Sequence, residues 1–272
     1  MAQALLELRR KTPTRQVAFN WVGWGIVVVL ILLWELLVRT GTLTISYIPA
    51  PSGVLAALME SCATGKLWTD VAHTLGIAFL AFATALLIGI LVGTALALNR
   101  PLWQWSMASV DFLRSVPVIA LMPIILLIWG SSNLSEYLAS AYSATWLMVV
   151  NTLGGVAGVH ERLDEVGRTL RLGRGDAVRK VIVPAGLPSI LVGARLAAVS
   201  AFIAAIVAEM IIHPEGIGWR LIMAQNALDA ELLFAYAVVS GLLGYLVNAL
   251  LVSGVGVAFP GMRHLIQAGG RR

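Results

Sequence analysis

Charge is what this sequence has least of. Asp, Glu, Lys and Arg supply 12% of its 272 residues, against about 25% in an ordinary soluble domain. Hydrophobic residues reach 59% and mean hydropathy is +0.87, which leaves too little polar surface to cover a water-soluble globule. The chain is therefore read as an integral membrane protein. A single cysteine, Cys62, excludes an internal disulfide framework and a multi-thiolate metal site. The four histidines, His73, His160, His213 and His264, are dispersed without H-E-x-x-H spacing, so neither metal nor catalytic residues are assigned from spacing. No G-x-x-x-x-G-K-[ST] phosphate loop occurs, and no repeat of solenoid period is visible.

Long apolar runs are present at 21–38, 73–98, 107–129, 136–158, 189–212 and 231–258. A span needs roughly 20 apolar residues, and backbone groups in hydrocarbon must be satisfied within the segment. These runs predict an all-α protein of six transmembrane helices. The first follows Arg9, Arg10, Lys11 and Arg15 as a signal peptide would, but runs on to Val38 without a small-residue cleavage site. It is read as a retained anchor.

With the N-terminus inside, the cytoplasmic segments are 1–20, 99–106, 159–188 and 259–272. Of the 19 Lys and Arg residues, 14 fall there, three (Arg39, Lys66, Arg220) lie outside, and Arg114 and Arg195 lie within spans. That is the positive-inside asymmetry. It accounts for the net charge of +5 without a nucleic-acid partner, and it predicts a multi-pass membrane protein with both termini cytoplasmic. Segment 39–72 becomes an external connection, in which Ser52 is a candidate N-cap for a short interfacial helix with Val54, Leu55, Leu58 and Met59 on one face. Segment 73–258 carries the other five runs and is expected to form the membrane core.

Spans four and five are joined by His160 to Ile190, far more chain than two neighbouring helices need. Leu163, Val166 and Leu170, then Val178, Val181 and Ile182, recur at helical spacing among charges. Two short surface helices are predicted, with a turn at Leu172 to Gly175, Asp176 as cap of the second, and Pro184 and Pro188 ending the unit before span five. Two readings stand for this loop. It is either a basic segment that fixes topology and touches anionic lipid, or a docking element for a cytoplasmic partner.

The segment resembles the EAA loop of binding-protein-dependent ABC importer permeases, whose pattern is E-A-A, three residues, Gly, nine residues, Ile-x-Leu-Pro. Glu165-Val166-Gly167 matches E-A-A, Arg171 takes the glycine position, and Val181, Val183 and Pro184 match the end. Gly167 departs from alanine and Arg171 from the turn glycine; Gly173 and Gly175 follow with the backbone freedom a turn uses. Elsewhere, Tyr47-Ile-Pro-Ala-Pro-Ser52, Arg114-Ser-Val-Pro-Val-Ile-Ala-Leu-Met-Pro123 with Trp129-Gly130, Ala208-Glu209-Met210 and Gly216-Ile-Gly-Trp219 are similar to the nitrate/sulfonate/taurine/bicarbonate branch of that family.

The resemblance implies a type I permease fold, with no catalytic or cofactor site of its own. It also implies a second permease copy (a homodimer), two ATPase subunits that consume ATP and Mg2+, and a periplasmic or lipid-anchored substrate-binding protein. It makes Glu165, Gly167, Arg168, Arg171, Gly173, Arg174 and Pro184 the ATPase-coupling residues, and small oxyanions or sulfonates the cargo; related permeases carry pyrimidine vitamin precursors. Arg114, Pro117, Pro123, Asn151 and Glu209 are pathway candidates. Arg114, three residues after Asp111, either adjoins the pathway and favours an anion or forms a structural ion pair. Glu209 is read as a gate, a binding-protein contact or an ordinary interfacial acid. Pro117 and Pro123 are expected to kink span three, Asn151 either lines the pathway or bonds between helices, and Arg195 is expected to snorkel. A secondary transporter or channel, and a membrane-embedded enzyme, are the alternatives from other classes. If the loop docks an ATPase, Glu165→Lys weakens ATPase co-purification while membrane insertion persists; undiminished association and uptake would refute that role.

Overall fold

A computed structural model describes residues 21–42, 47–169 and 173–258, without the side chains of 159–169, 174, 177, 179 and 255–258. The described secondary structure is helical throughout: α1 (Trp21–Arg39), α2 (Pro51–Ala63), α3 (Lys66–Leu98), α4 (Arg100–Ser115), α5 (Val118–Trp129), α6 (Asn133–Thr169), α7 (Arg174–Ala177), a π turn (Val178–Ile182), α8 (Val183–Ile211), α9 (Gly216–Asn226) and α10 (Ala230–Ala258). The chain divides into two compact units, Met1–Gly53 and Val54–Arg272. The predicted tails at 1–20 and 259–272, with His264, lie outside the described residues.

In the first unit, α1 is apolar from Trp21 to Trp34, and none of its residues is buried. Near its end Glu35 takes the Ser52 backbone N–H at 2.9 Å and the Ser52 hydroxyl at 2.8 Å, and pairs with Arg39. Ser52 was expected to cap α2. The helix instead begins one residue earlier at Pro51, whose fixed φ suits a first helical position, and a carboxylate from an earlier helix accepts the free N–H.

The second unit is built on α3, α6 and α8. Small residues bring these helices together: a Cβ added at Gly89 would lie 2.5 Å from the Met148 Cβ, and one at Gly93 2.8 Å from the Val149 carbonyl oxygen. Gly155 similarly abuts the Gly186 carbonyl at 2.9 Å, and Gly193 abuts the Asn151 Cβ at 2.5 Å. The Gly89/Gly93 pair thus packs within the subunit, against α6. Ala81, Ala85, Met148, Val156, Ala197 and Ala201 fill the seam. Close backbone approach is how helices associate in lipid, where apolar surfaces gain little by leaving the tails.

Among the described residues, four helices are long and apolar enough to cross a bilayer, or five if the bent pair α4–α5 counts as one span. The six expected spans differ from this at two places. Span three is two helices bent by 85°. Pro117 stands at the break, in extended conformation at the N-terminus of α5, where its missing N–H leaves no bond unmade. Pro123 lies inside α5 without dividing it. Span four belongs to α6, 37 residues long, and its Ser, Thr and Asn side chains hold its apolarity below that of the other four.

The loop between spans four and five is likewise not a pair of separate surface helices. The first half, through Thr169, continues α6 without interruption. The second half leads through the π turn directly into α8. Pro184 and Pro188 do not end this unit: Pro184 occupies the first turn of α8, where an N–H has no intrahelical partner anyway, and Pro188 lies inside the helix. Asp176 is not a cap; it lies within α7 and pairs with Lys180 at 3.0 Å. Gly175 is helical too. Arg195 does not snorkel freely, because its Nε donates to Asn248 of α10 at 2.6 Å.

Replacing Gly93 or Gly193 with valine forces these seams apart. Overpacking of this kind costs about 1–3 kcal/mol, so thermal unfolding in detergent should shift downward for both, whereas Gly76→Val, at a position with open space around its Cβ, should leave it nearly unchanged.

Candidate functional site

The predicted coupling residues lie along the extension of α6 and the start of α8. Glu165, Gly167 and Arg168 are on α6, with side chains outside the described residues; Arg171 lies wholly outside them, as does the side chain of Arg174, which opens α7. Gly173 is exposed just before α7. Pro184 begins α8 beside the α6–α8 crossing at Gly155 and Gly186.

The predicted pathway residues are not gathered at one place. Arg114 pairs with Asp111 at 2.9 Å, both about half exposed, as their i,i+3 spacing required. Asn151 sits at the α6–α8 seam, its side chain donating to the Leu147 carbonyl at 2.8 Å and its own carbonyl accepting the Ser189 hydroxyl at 2.9 Å. A cavity of about 640 Å3 opens between α3, α4 and α6, walled by Trp103, Met107, Val150 and Leu153 with Arg100 at its edge. Arg114 is not among its walls; Arg100 is the basic residue there.

Glu209, read from the sequence as a gate, a binding-protein contact or an ordinary interfacial acid, has a fully buried side chain. Its Oε2 accepts the Gly218 backbone N–H at 2.8 Å, and the neighbouring Ile217 N–H goes to the Thr74 hydroxyl at 3.0 Å. Both N–H groups belong to the first turn of α9, which has no intrahelical acceptor for them and carries the positive end of the helix dipole. A carboxyl oxygen is a suitable acceptor at that position. The Gly216-Ile217-Gly218 sequence follows from this contact. Gly216 adopts φ +86°, and a Cβ there would fall 2.3 Å from the Glu209 carboxyl carbon; a Cβ at Gly218 would fall 2.0 Å from the Ile206 carbonyl oxygen.

Around this cap the ends of five helices converge. Asp70 of α3 accepts from Arg220 of α9 and from Tyr236 of α10, each at 2.8 Å. His73, one turn further along α3, places Nε2 2.9 Å from Glu136 Oε2 and Nδ1 3.2 Å from Glu215 Oε2. Glu136, in the first turn of α6, is fully buried. His213 stacks on His73 with ring centroids 5.8 Å apart and planes 6° from parallel, and its Nδ1 lies 3.5 Å from Glu136 Oε1. The two histidines read as unrelated in the sequence are therefore neighbours. No local signal could have joined them, because 140 positions separate them in the chain; Glu136 and Glu209, acids in otherwise apolar runs, were the available hints.

Comparison with known proteins fits this architecture. Residues 85–264 match the family model of the binding-protein-dependent transport system inner membrane component. A Bacillus subtilis protein named as an aliphatic sulfonates transport permease, SsuC, is 28% identical over 89% of this chain and 88% of its own. The Escherichia coli protein of the same name is 28% identical over 94% and 98%. A bicarbonate transport system permease protein, CmpB, of Synechococcus elongatus is 31% identical over 66% of each chain. Among solved structures, the inward-facing MetNI methionine ABC transporter shares the fold with a TM-score of 0.62, covering 72% of this chain and 97% of that one at 21% identity.

The chain belongs to the family of inner-membrane permease components of binding-protein-dependent ABC importers. It is a multi-pass transport subunit and not an enzyme, which sets aside the channel, secondary-transporter and membrane-enzyme alternatives. Members of this family work with an ATPase and a substrate-binding protein.

Removing the Glu209 carboxylate leaves the buried Gly218 N–H without its acceptor, a loss of about 1–3 kcal/mol. Gly216→Ala adds left-handed backbone strain of about 1–2 kcal/mol to its clash. Glu209→Ala and Gly216→Ala should each lower the unfolding temperature in detergent, and the double variant should fall short of the sum because both break one contact. Full additivity would show that Glu209 does not act through α9.

Proposed function

We propose that the chain is one of two identical permease subunits of an importer for a small oxyanion, with sulfonates foremost. The cargo arrives from a periplasmic or lipid-anchored binding protein, and two ATPase subunits consume ATP and Mg2+ on the cytoplasmic side. Segments 1–20 and 259–272 are cytoplasmic tails, and 73–258 is the permease core, with 160–185 gripped by the ATPase through Glu165 and the neighbouring arginines. The names of the relatives, which cover sulfonate, nitrate and bicarbonate, support the cargo class. The charge asymmetry between the loops supports the orientation.

The observation that carries this reading is the continuity of α6. At about 1.5 Å per residue, its 37 residues make a rod of roughly 55 Å. A bilayer core is only about 30 Å thick, so the rod projects well beyond it. One end bears Glu136 in the polar cluster and the other bears Glu165 on the coupling segment. A stiff helix with both groups transmits displacement from the cytoplasmic face to the far end, where a flexible loop would absorb it. Closure of the ATPase pair around nucleotide moves 160–185; α6 tilts, and with it the cluster that joins α3, α8, α9 and α10. Arg100, lining the cavity between α3, α4 and α6, raises the local concentration of an anion there, as basic clefts do.

The test is uptake into proteoliposomes containing the chain, its ATPase and its binding protein. Taurine or another sulfonate is expected to stimulate ATP hydrolysis and to enter the vesicle, and deletion of 160–184 to abolish both. Uptake that survives the deletion would overturn the coupling role. Stimulation by a pyrimidine precursor with none by sulfonate, nitrate or bicarbonate would overturn the cargo class.

A further inference from the structure

Both ring nitrogens of His73 face carboxylate oxygens, Nε2 toward Glu136 at 2.9 Å and Nδ1 toward Glu215 at 3.2 Å. A neutral imidazole has only one N–H to offer. Both nitrogens can engage carboxyl groups at once only if the ring carries a second proton or a metal ion, or if one of the carboxyl groups is itself protonated. The charge count around the site points the same way. Glu136, Glu209 and Glu215 gather here, and the nearby guanidinium of Arg220 is committed to Asp70 at 2.8 Å. Glu136 and Glu209 are fully buried, and each retains an oxygen, Oε1, with no hydrogen-bond partner among the described residues. Buried carboxylate oxygens in that condition are costly unless a cation or proton meets them.

We propose that His73, His213 and Glu215 bind a divalent transition-metal ion of the zinc class, with Glu136 as the carboxylate that orients the His73 imidazole. The three side chains place one donor atom each within 4.8 Å of one another. Tetrahedral zinc with bonds of about 2.0–2.2 Å has donor–donor edges of roughly 3.3–3.5 Å, and the His73–Glu215 edge is 3.2 Å. Two imidazoles and one carboxylate are a donor set suited to zinc and poorly suited to magnesium or calcium, which take oxygen ligands. With the metal on Nδ1 of His73, its Nε2–H donates to buried Glu136, the carboxylate–histidine–metal arrangement that fixes a ligand's tautomer. Glu136 Oε1 lies 3.5 Å from His213 Nδ1 without a hydrogen bond between them, so the carboxylate is bonded to the His73 ring alone. Burial is graded in the sense an entry route requires: Glu136 is closed off, the imidazoles are 13% and 16% exposed, and Glu215 is 58% exposed. The bound ion would cross-link the end of α3 to the segment between α8 and α9. This assignment goes beyond transport and does not depend on the cargo.

The full-length chain, carrying a purification tag without histidine, is stripped with chelator and dialysed against Zn2+, and bound metal is measured by mass spectrometry. About one ion per chain is expected, with chelator lowering the unfolding temperature of the loaded protein. Co2+ in place of Zn2+ should give the intense visible absorption of a four-coordinate site. Glu215→Gln, an exposed substitution that leaves the packing intact, should weaken binding at least tenfold, and His73→Gln with His213→Gln should abolish it. His160 and His264 remain in every variant, so metal held at those positions would persist in the double variant. Equal zinc in wild type and the double variant would overturn the proposal. Should the double variant fail to fold, undiminished binding by Glu215→Gln, or a six-coordinate Co2+ spectrum of the wild type, would overturn it as well.

Discussion

The close approach of α3, α6 and α8 is the constraint on which the second unit rests. At Gly89, Gly93, Gly155, Gly186 and Gly193 the facing helix lies where a Cβ would be. In a bilayer the hydrophobic effect supplies little force between helices, and dispersion between well-fitted surfaces takes its place. Such contact falls off steeply with distance, so a seam lined by glycine and alanine holds only at one spacing. It also brings carbonyl oxygens and small hydroxyls within reach across the seam, as when the Ser189 hydroxyl bonds the Asn151 carbonyl and the Ser143 and Ser200 hydroxyls meet at 2.8 Å.

With three helices held at that spacing, their ends at Asp70, Glu136 and Glu209 are forced to share a small volume. Charges in such surroundings are strongly disfavoured unless matched, and the structure matches them in two ways. Asp70 has a guanidinium and a phenol; Glu209 has the N-terminal turn of α9, whose N–H groups and dipole act as a partial positive charge. The result is that α9, a helix of only 11 residues, is fastened to α3 and α8 by polar contacts buried under Ile217 and Tyr236. Glu136 and Glu215, facing the two stacked imidazoles, have no such fixed cation beyond those rings among the described residues.

The two ends of the bundle are thus built on different chemistry. One is a set of buried, directional polar contacts that hold five elements in one arrangement. The other is a charged, largely helical segment flanking an open cavity. The helix α6 runs between them without a break, whereas α4 and α5 are separated by a proline at an 85° bend. A rigid member beside a hinged one is a mechanical basis for converting a push at one face into opening at the other.

Much of this was legible from residues alone, and for identifiable reasons. Low charge and long apolar runs report burial in lipid because hydrophobicity is a property of each residue independent of its neighbours in space. The loop asymmetry of Lys and Arg, the i,i+3 pair of Asp111 and Arg114, and the spacing from Glu165 to Pro184 are likewise local in the chain. What the sequence alone determined, then, is the class of the molecule and the apolar runs from which its long helices are built. Proline was misread at 184 and 188, since its effect depends on whether a helix is starting or already under way, which neighbours in space decide. The pairing of His73 with His213, the burial of Glu209 against Gly216 and Gly218, and the join of Arg195 to Asn248 were set only by tertiary packing. Those contacts link residues far apart in the chain, and they exist because glycine seams bring particular helix ends to the same point.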